Sequence, residues 1–217
     1  MFWTYTGPIT DMKIQRYIAR NMFGTNAYLV WDEESKKAFI VDPGAEFPEA
    51  VDFIEKQGLE LEYIMITHAH GDHTGGINFF RDHFPEAKLL AARAERKMLY
   101  DRHASMGKGG YTADVEVRDG DTLNVGTIEL RFIDCPGHTP GGMSIYADKK
   151  VLFSGDTLFH ASVGRTDLPG GDWEVLEETL KNKLYVLPDD TLVLPGHMDE
   201  TTIGYEKRYN PFVQADD

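Results

Sequence analysis

Apolar positions fall first into two short β-like runs, residues 27–31 and 38–41, on either side of the polar stretch Asp32-Glu33-Glu34-Ser35-Lys36. That pattern predicts a hairpin. Residues 48–58 then switch to helical spacing, opened by Pro48 and stopped by Gly58, which predicts a helix. A further apolar run, Tyr63-Ile64-Met65-Ile66, reads as a strand, and residues 77–84 read as the next helix. Strands are expected again at 88–91, 128–133, 151–154 and 192–194, with an amphipathic helix over 172–184. Strands and helices mixed in this way suit two sheets covered by outer helices, an α/β class. No low-complexity stretch, long linker or fixed-period repeat divides the chain.

Polar residues that can hold metals collect where these strands end. Thr67-His68-Ala69-His70-Gly71-Asp72-His73 follows the strand at 63–66 directly. His68 and His70 are two apart and project to one side of an extended segment, while Asp72 and His73 come where the chain bends toward a helix. His138 follows Pro136-Gly137, Asp156 follows Gly155, and His197 follows Pro195-Gly196, each after a residue that ends regular structure. Five His and two Asp result. They suffice for two ions with three protein ligands each and one bridging carboxylate, leaving positions open for water as catalytic sites do. A lone His in a turn would be read as polar surface; convergence of several donors on one kind of position favours metal. Three His are left over: His83 in a helix-like stretch, His103, and His160, which follows Asp156 closely enough to face the site.

These residues resemble the signature of metallo-β-lactamase-fold hydrolases, His-x-His-x-Asp-His followed by separate His, Asp and His ligands. Within that superfamily the stretches 23–30, 155–159, 164–167 and 201–204 resemble the short glyoxalase II-like branch, the hydroxyacylglutathione hydrolase type. The resemblance implies an αββα sandwich, with two mixed β-sheets flanked by helices and two similar halves meeting at the metal cleft. It implies one metallo-β-lactamase domain over residues 1–217, without the C-terminal helical domain of full-length glyoxalase II, since twenty residues follow His197. By the family pattern, His68, His70 and His138 hold one ion, Asp72, His73 and His197 the other, and Asp156 bridges. The cofactors implied are two divalent metal ions, zinc foremost, although His and Asp donors suit iron and manganese equally.

The activity implied is hydrolysis of a thioester, such as S-lactoylglutathione, to a hydroxy acid and free thiol by a metal-bridging hydroxide. A thioester suits such a site because its carbonyl is electrophilic and its thiolate leaves without a strong general acid. Asp72 is the catalytic candidate, holding the hydroxide and taking its proton. Asp42, in Val41-Asp42-Pro43-Gly44, matches a position that orients the metal loop. A turn residue before Pro explains it equally well. Arg165, Lys207 and Arg208 are candidate anchors for a substrate carboxylate. The chain departs from the family where Gly196-His197 continues with Met198-Asp199 instead of Gly-Pro.

A persulfide dioxygenase using a single iron is the alternative, since it resembles this chain in the His-rich loop and in Gly164-Arg165-Thr166-Asp167. A B1 β-lactamase would carry Cys where Asp156 stands, and lactone hydrolases often place Tyr where this chain has Phe159. A non-catalytic scaffold predicts broken ligand positions, and none is broken.

Composition narrows the partners. A chain of 217 residues with 41% hydrophobic content can bury a substantial core. Its formal net charge of -14 opposes a phosphate backbone, so nucleic acid is disfavoured and a small-molecule substrate expected. The single cysteine, Cys135, forbids an internal disulfide and suits a reducing compartment. The N-terminus lacks signal-peptide character and no apolar run reaches membrane-spanning length, so a soluble cytoplasmic protein is expected. Basic residues gather over 93–110, with Arg93, Arg96, Lys97, Arg102, His103 and Lys108 forming either a solvated helix face or a screen for an anionic substrate. Nothing in the sequence fixes the oligomeric state.

Overall fold

The hydrophobic runs form two stacked sheets in the computed structural model, which describes residues 3–5, 12–106 and 109–215. The first sheet has its strands in chain order: β1 (Trp3–Tyr5), β2 (Met12–Ile18), β3 (Asn26–Asp32), β4 (Lys37–Val41), β5 (Glu60–Met65), β6 (Lys88–Ala92) and β7 (Val115–Val117). Pairing is antiparallel from β1 to β4 and parallel from β4 to β7. The second half supplies β8 (Thr122–Val125), β9 (Ile128–Asp134), β10 (Met143–Ala147) and β11 (Val151–Gly155), the small ribbon β12 (Leu158–Phe159) and β13 (Ser162–Val163), then β14 (Leu192–Pro195) and β15 (Thr201–Thr202). Its main sheet runs β15-β14-β11-β10-β9-β8, with β11 and β14 parallel.

The period of two decides which core each side chain joins. In β3, Ala27, Leu29 and Trp31 pack under α1 (Pro48–Gln57), α3 (Ile77–His83) and α4 (Arg96–Tyr100), whereas Tyr28 and Val30 face the second sheet. β11 does the same in mirror fashion. Val151 and Phe153 enter the core between the sheets, and Leu152 joins Leu176, Leu180, Leu184 and Ile203 from the helical face outside. Three apolar layers thus separate helix, sheet, sheet and helix, giving the expected αββα order.

Local chemistry explains the boundaries. The hairpin turn is held by Asp32, which accepts from the Glu34 amide (3.2 Å), the Ser35 hydroxyl (2.6 Å) and the Thr127 amide (2.8 Å). The helix predicted over 172–184 starts where Asp172 accepts from the Val175 amide (3.1 Å), giving α5 (Trp173–Thr179). It then widens into a π turn, Leu180–Leu184, in which the Tyr185 amide reaches back to Leu180 (2.8 Å). That turn keeps Leu180 and Leu184 in the same core as Leu176. The chain closes on α6 (Ile203–Tyr209), where Thr202 accepts from the Tyr205 amide (3.2 Å). No helix among the described residues is long and apolar enough to cross a membrane. Much of the N-terminal stretch read for a signal peptide, and Lys108 of the basic segment, lie outside the described residues.

Candidate metal centre

The loops that leave β5, β9, β11 and β14 meet at one end of the sandwich. His68 and His70 extend from β5, and one helical turn, α2 (Gly71–Thr74), carries Asp72 and His73 back under them. His138 lies on the loop between β9 and β10, Asp156 just beyond β11, and His197 just beyond β14. Three donor groups form: His68, His70 and His138; His68, His73 and Asp156; and Asp72, His73 and His197, the ligand atoms of each lying within 4.8 Å of one another. The Asp156 carboxylate joins them, with Oδ2 3.6 Å from His138 Nε2 and 3.3 Å from His197 Nε2, and Oδ1 3.3 Å from His73 Nε2. All seven predicted ligands are therefore brought together.

Outer partners fix which imidazole nitrogen faces inward. His138 Nδ1 donates to the Arg165 carbonyl (2.7 Å) and His197 Nδ1 to the Phe23 carbonyl (3.1 Å), because a carbonyl can only accept. His73 Nδ1 donates to Asp42 Oδ2 (3.0 Å). The Thr67 hydroxyl gives its single proton to Asp42 Oδ2 (2.7 Å), so it accepts from His68 Nδ1 (3.1 Å). In the neutral form of each of these four rings the Nε2 lone pair faces the centre. His70 instead presents Nδ1, 3.0 Å from His138 Nε2.

Charge points to a cation. Burial holds His68 well below its usual value and pulls His70 down to about 4. The other triad behaves oppositely. Burial opposes the proton on His73, but the Asp156 and Asp42 carboxylates outweigh it and raise the ring well above its usual range. Burial opposes it on His197 too, and hydrogen bonds to Asp156 and Asp72 carry that ring up to about 9. Burial would raise Asp72, yet the His197 hydrogen bond and the His73 charge bring it down to about 2. Metal-free, the centre is neutralised by protons a cation can replace. His68 Nε2, His73 Nε2 and Asp156 Oδ1 are also buried without hydrogen-bond partners, which is costly unless something binds there. The residues thus fit a metal centre.

Backbone close to the site is held just as firmly. A Cβ on Gly196 would lie 2.4 Å from Asp156 Oδ1 and 2.6 Å from His73 Cε1, so only glycine leaves the ligands room. Asn26 Nδ2 donates to the carbonyls of Pro195 and Met198 (2.9 Å each) and the Tyr28 hydroxyl to Pro195 (2.8 Å), pinning the His197 loop to the first sheet. Thr25 Oγ1 donates to Asp72 Oδ2 (2.9 Å). Sequence reasoning used the stretch 23–30 only as a resemblance; its polar residues act on the site directly. Glu95 was missed altogether, because a buried carboxylate inside a basic run gives no signal.

The remaining candidates separate clearly. Asp42 is buried at positive φ (50°) and accepts from both the Thr67 amide (2.7 Å) and its hydroxyl. Arg165 lines the cleft above the ligands, its guanidinium paired with Asp167 (2.6 and 2.7 Å). Lys207 and Arg208 are not brought to the cleft: both pair with Asp189 (2.8 and 2.7 Å) beside α6. His160 meets Tyr205 edge to face, with ring centroids 5.4 Å apart, His83 bonds the Phe79 carbonyl (2.8 Å), and neither joins the donor groups. Arg93 and Arg96 face Glu116 (3.9 and 3.5 Å), and Arg102 and His103 are exposed. Cys135 is buried and free, its thiol pushed up to about 11 by burial.

The ligands open into a cleft of about 870 Å³, walled by Phe23, Ala45, Met106, Phe159, Leu168 and Met198. The family model described as Metallo-beta-lactamase superfamily matches residues 20–197. The chain belongs to that superfamily. Among its relatives there, the hydroxyacylglutathione hydrolase GloC of Haemophilus influenzae is 35% identical over 89% of this chain and 94% of that protein. The mitochondrial persulfide dioxygenase ETHE1 of Homo sapiens is 32% identical over 86% of this chain and 70% of its own length. A solved structure of the B3 metallo-beta-lactamase BLEG-1 superposes with a TM-score of 0.84, at 34% identity, over 98% of this chain and 99% of that one. The superfamily accounts for both the αββα order and the His/Asp cluster.

Proposed function

We propose that this protein is a dinuclear metallohydrolase of the glyoxalase II type, cleaving a small S-acyl thiol such as S-lactoylglutathione to a hydroxy acid and free thiol. The observation that carries the reading is the completeness of both triads, with Asp156 reaching across to each. Two divalent ions, zinc foremost, would supply a hydroxide near neutral pH and polarise the thioester carbonyl. His68, His70 and His138 would hold one, Asp72, His73 and His197 the other. Asp72, held by Thr25 (2.9 Å), would orient the nucleophile as a hydrogen-bond acceptor and take its proton. Arg165, which lines the cleft, would meet a substrate carboxylate by exchanging its bond to Asp167.

The similarity to GloC supports a thioester substrate, and the similarity to ETHE1 favours a second reading, oxidation of a persulfide with one iron. Elemental analysis of purified protein, with thiol release from S-lactoylglutathione and oxygen uptake with glutathione persulfide, separates the two. The expected result is two ions per chain, thiol release and no oxygen uptake. Asp72→Ala should lower thiol release by about 100- to 1,000-fold, the range for loss of one preorganised polar group at the reacting atoms, with the circular dichroism spectrum retained. Full activity in that variant would refute the role given to Asp72.

A further inference from the structure

The metal loop leaves β5 between two parallel neighbours, and a buried carboxylate follows each of them: Asp42 after β4 and Glu95 after β6. Asp42 reaches Thr67 and His73, as the family position implies. Glu95 does something different. It ends a short 3-10 turn, Arg93–Glu95, and is 1% exposed in a segment whose other described charges lie at the surface. Its Oε1 accepts from the Ala69 amide (3.0 Å), between His68 and His70. Its Oε2 accepts from the Thr139 hydroxyl (3.2 Å) and the Gly141 amide (2.9 Å), immediately beyond His138. One carboxylate therefore ties together the two loops that bring His68, His70 and His138 to one point.

The close approach is built in, because a Cβ on Gly141 would lie 2.3 Å from the Glu95 nitrogen and 2.4 Å from the Ala94 carbonyl carbon. No ion pair to Glu95 appears among the described residues; three neutral donors hold it. We propose that Glu95 is the positioning residue of the first triad, setting the separation of the His68–His70 and His138 loops and with it the affinity of that triad for its metal ion. A neutral amide cannot reproduce the arrangement. Both oxygens of Glu95 accept, whereas the nitrogen of a glutamine would turn donor against donor toward either Ala69 or Gly141. The inference rests on the metal-centre reading and not on the identity of the substrate.

The test is metal binding by Glu95→Gln, measured by chelator competition and by the visible spectrum of the cobalt-substituted protein. Glu206→Gln is the control. Glu206 is equally buried (0% exposed), but its carboxylate accepts from Ala161, Thr201 and Asn210, none of them a neighbour of the first triad. Expected for Glu95→Gln is a loss of about 10–100-fold in the affinity of one ion of the pair, the range found for partners just outside a ligand shell, and an altered cobalt band. Glu206→Gln should unfold more readily yet keep wild-type affinity. If Glu95→Gln fails to fold, Thr139→Val removes one bond to Oε2 alone and should move affinity in the same direction by a smaller factor. Wild-type affinity and an unchanged cobalt band in whichever Glu95 or Thr139 variant folds, or an equal loss in Glu206→Gln, would overturn the proposal. Failure of the wild type to bind metal would instead overturn the metal-centre reading, and absent thioesterase activity with intact metal binding would leave the role of Glu95 standing.

Discussion

The two triads should load their ions with different dependence on pH. Both His73 and His197 sit above their usual range, His197 at about 9, because carboxylates surround them. A cation binds only a free nitrogen lone pair, so at pH 7 it must first expel those protons. A ring with pKa near 9 is unprotonated in about 1% of molecules at pH 7, which weakens binding about 100-fold, or about 2.7 kcal/mol. His73 adds to this in the same direction. In the first triad His68 and His70 lie below neutrality and have no proton to lose. Apparent affinity for the second ion should therefore rise at least about tenfold per pH unit between about 6.5 and 9, and less steeply once His197 has lost its proton.

The metal-free protein should respond in the opposite sense. The folded-state pKa of His197 is raised, so its contribution to stability is complete below the unfolded value of about 6.5 and is lost as pH climbs through 9. On the order of 2 kcal/mol is at stake after discounting for the open side of the ring. Asp72, brought down to about 2, contributes above its unfolded value and is lost only as pH falls through 2, outside this window. Calorimetric titration in two buffers of different ionisation enthalpy counts the protons released, and melting of chelator-stripped protein follows stability. The expected result is at least one proton released with the second ion at pH 7, and a melting temperature that falls from pH 6.5 to 9. No proton release, or a metal-free melting temperature that climbs across that window, would refute the charge assignment.

Two substitutions probe the frame around the centre. Asp42→Ala leaves the Thr67 amide and His73 Nδ1 without their acceptor in a buried place, so denaturant unfolding should show a loss of about 3–5 kcal/mol; a loss under about 1 kcal/mol would mean that Asp42 is only a turn residue. Met198→Gly restores the residue usual in the family at a backbone position already left-handed (φ 66°) and removes a side chain from the cleft wall. Relief of about 1–2 kcal/mol of strain is offset by the chain entropy of glycine, about 0.5–1 kcal/mol. Stability should thus change by no more than about 1.5 kcal/mol while KM for the thioester rises, and an unchanged KM would show that Met198 does not touch substrate.

The candidate ligands were legible because His138, Asp156 and His197 each follow an apolar run closed by glycine, and the spacing of His68, His70, Asp72 and His73 after the strand at 63–66 survives any detail of packing. The hairpin at Asp32 and the helix ending at Gly58 were legible for the same local reason. β2 escaped notice, since Lys13, Gln15 and Arg16 interrupt its apolar positions although Met12 and Ile14 are core residues. β10 and α6 escaped as well, being short and defined by pairing and packing partners far along the chain. Lys207 and Arg208 look like anion anchors in sequence, but a helix turn points both at Asp189, and a string of residues cannot reveal which carboxylate a lysine will meet. Glu95 was hidden more deeply. Its neighbours Arg93 and Arg96 face outward to Glu116, and only the fold distinguishes Glu95 as the inward charge among the described residues of that segment.

Each triad takes donors from both halves of the sandwich. The first half supplies His68 and His70 to one and Asp72 and His73 to the other; His138, His197 and the Asp156 carboxylate all arrive from the second half. Neither sheet alone can complete a ligand set. The loops are also cross-tied by protein, through Asn26 and Tyr28 to the Pro195 carbonyl and through the Met143 amide to the Thr67 carbonyl (2.9 Å). Those ties bring like-charged carboxylates and desolvated imidazoles into one small volume, an arrangement the chain would not adopt for packing alone. A cation relieves that opposition only when both sheets are docked, so its binding free energy adds directly to the stability of the interface between them. Construction of the site and joining of the two halves are for this reason one physical event.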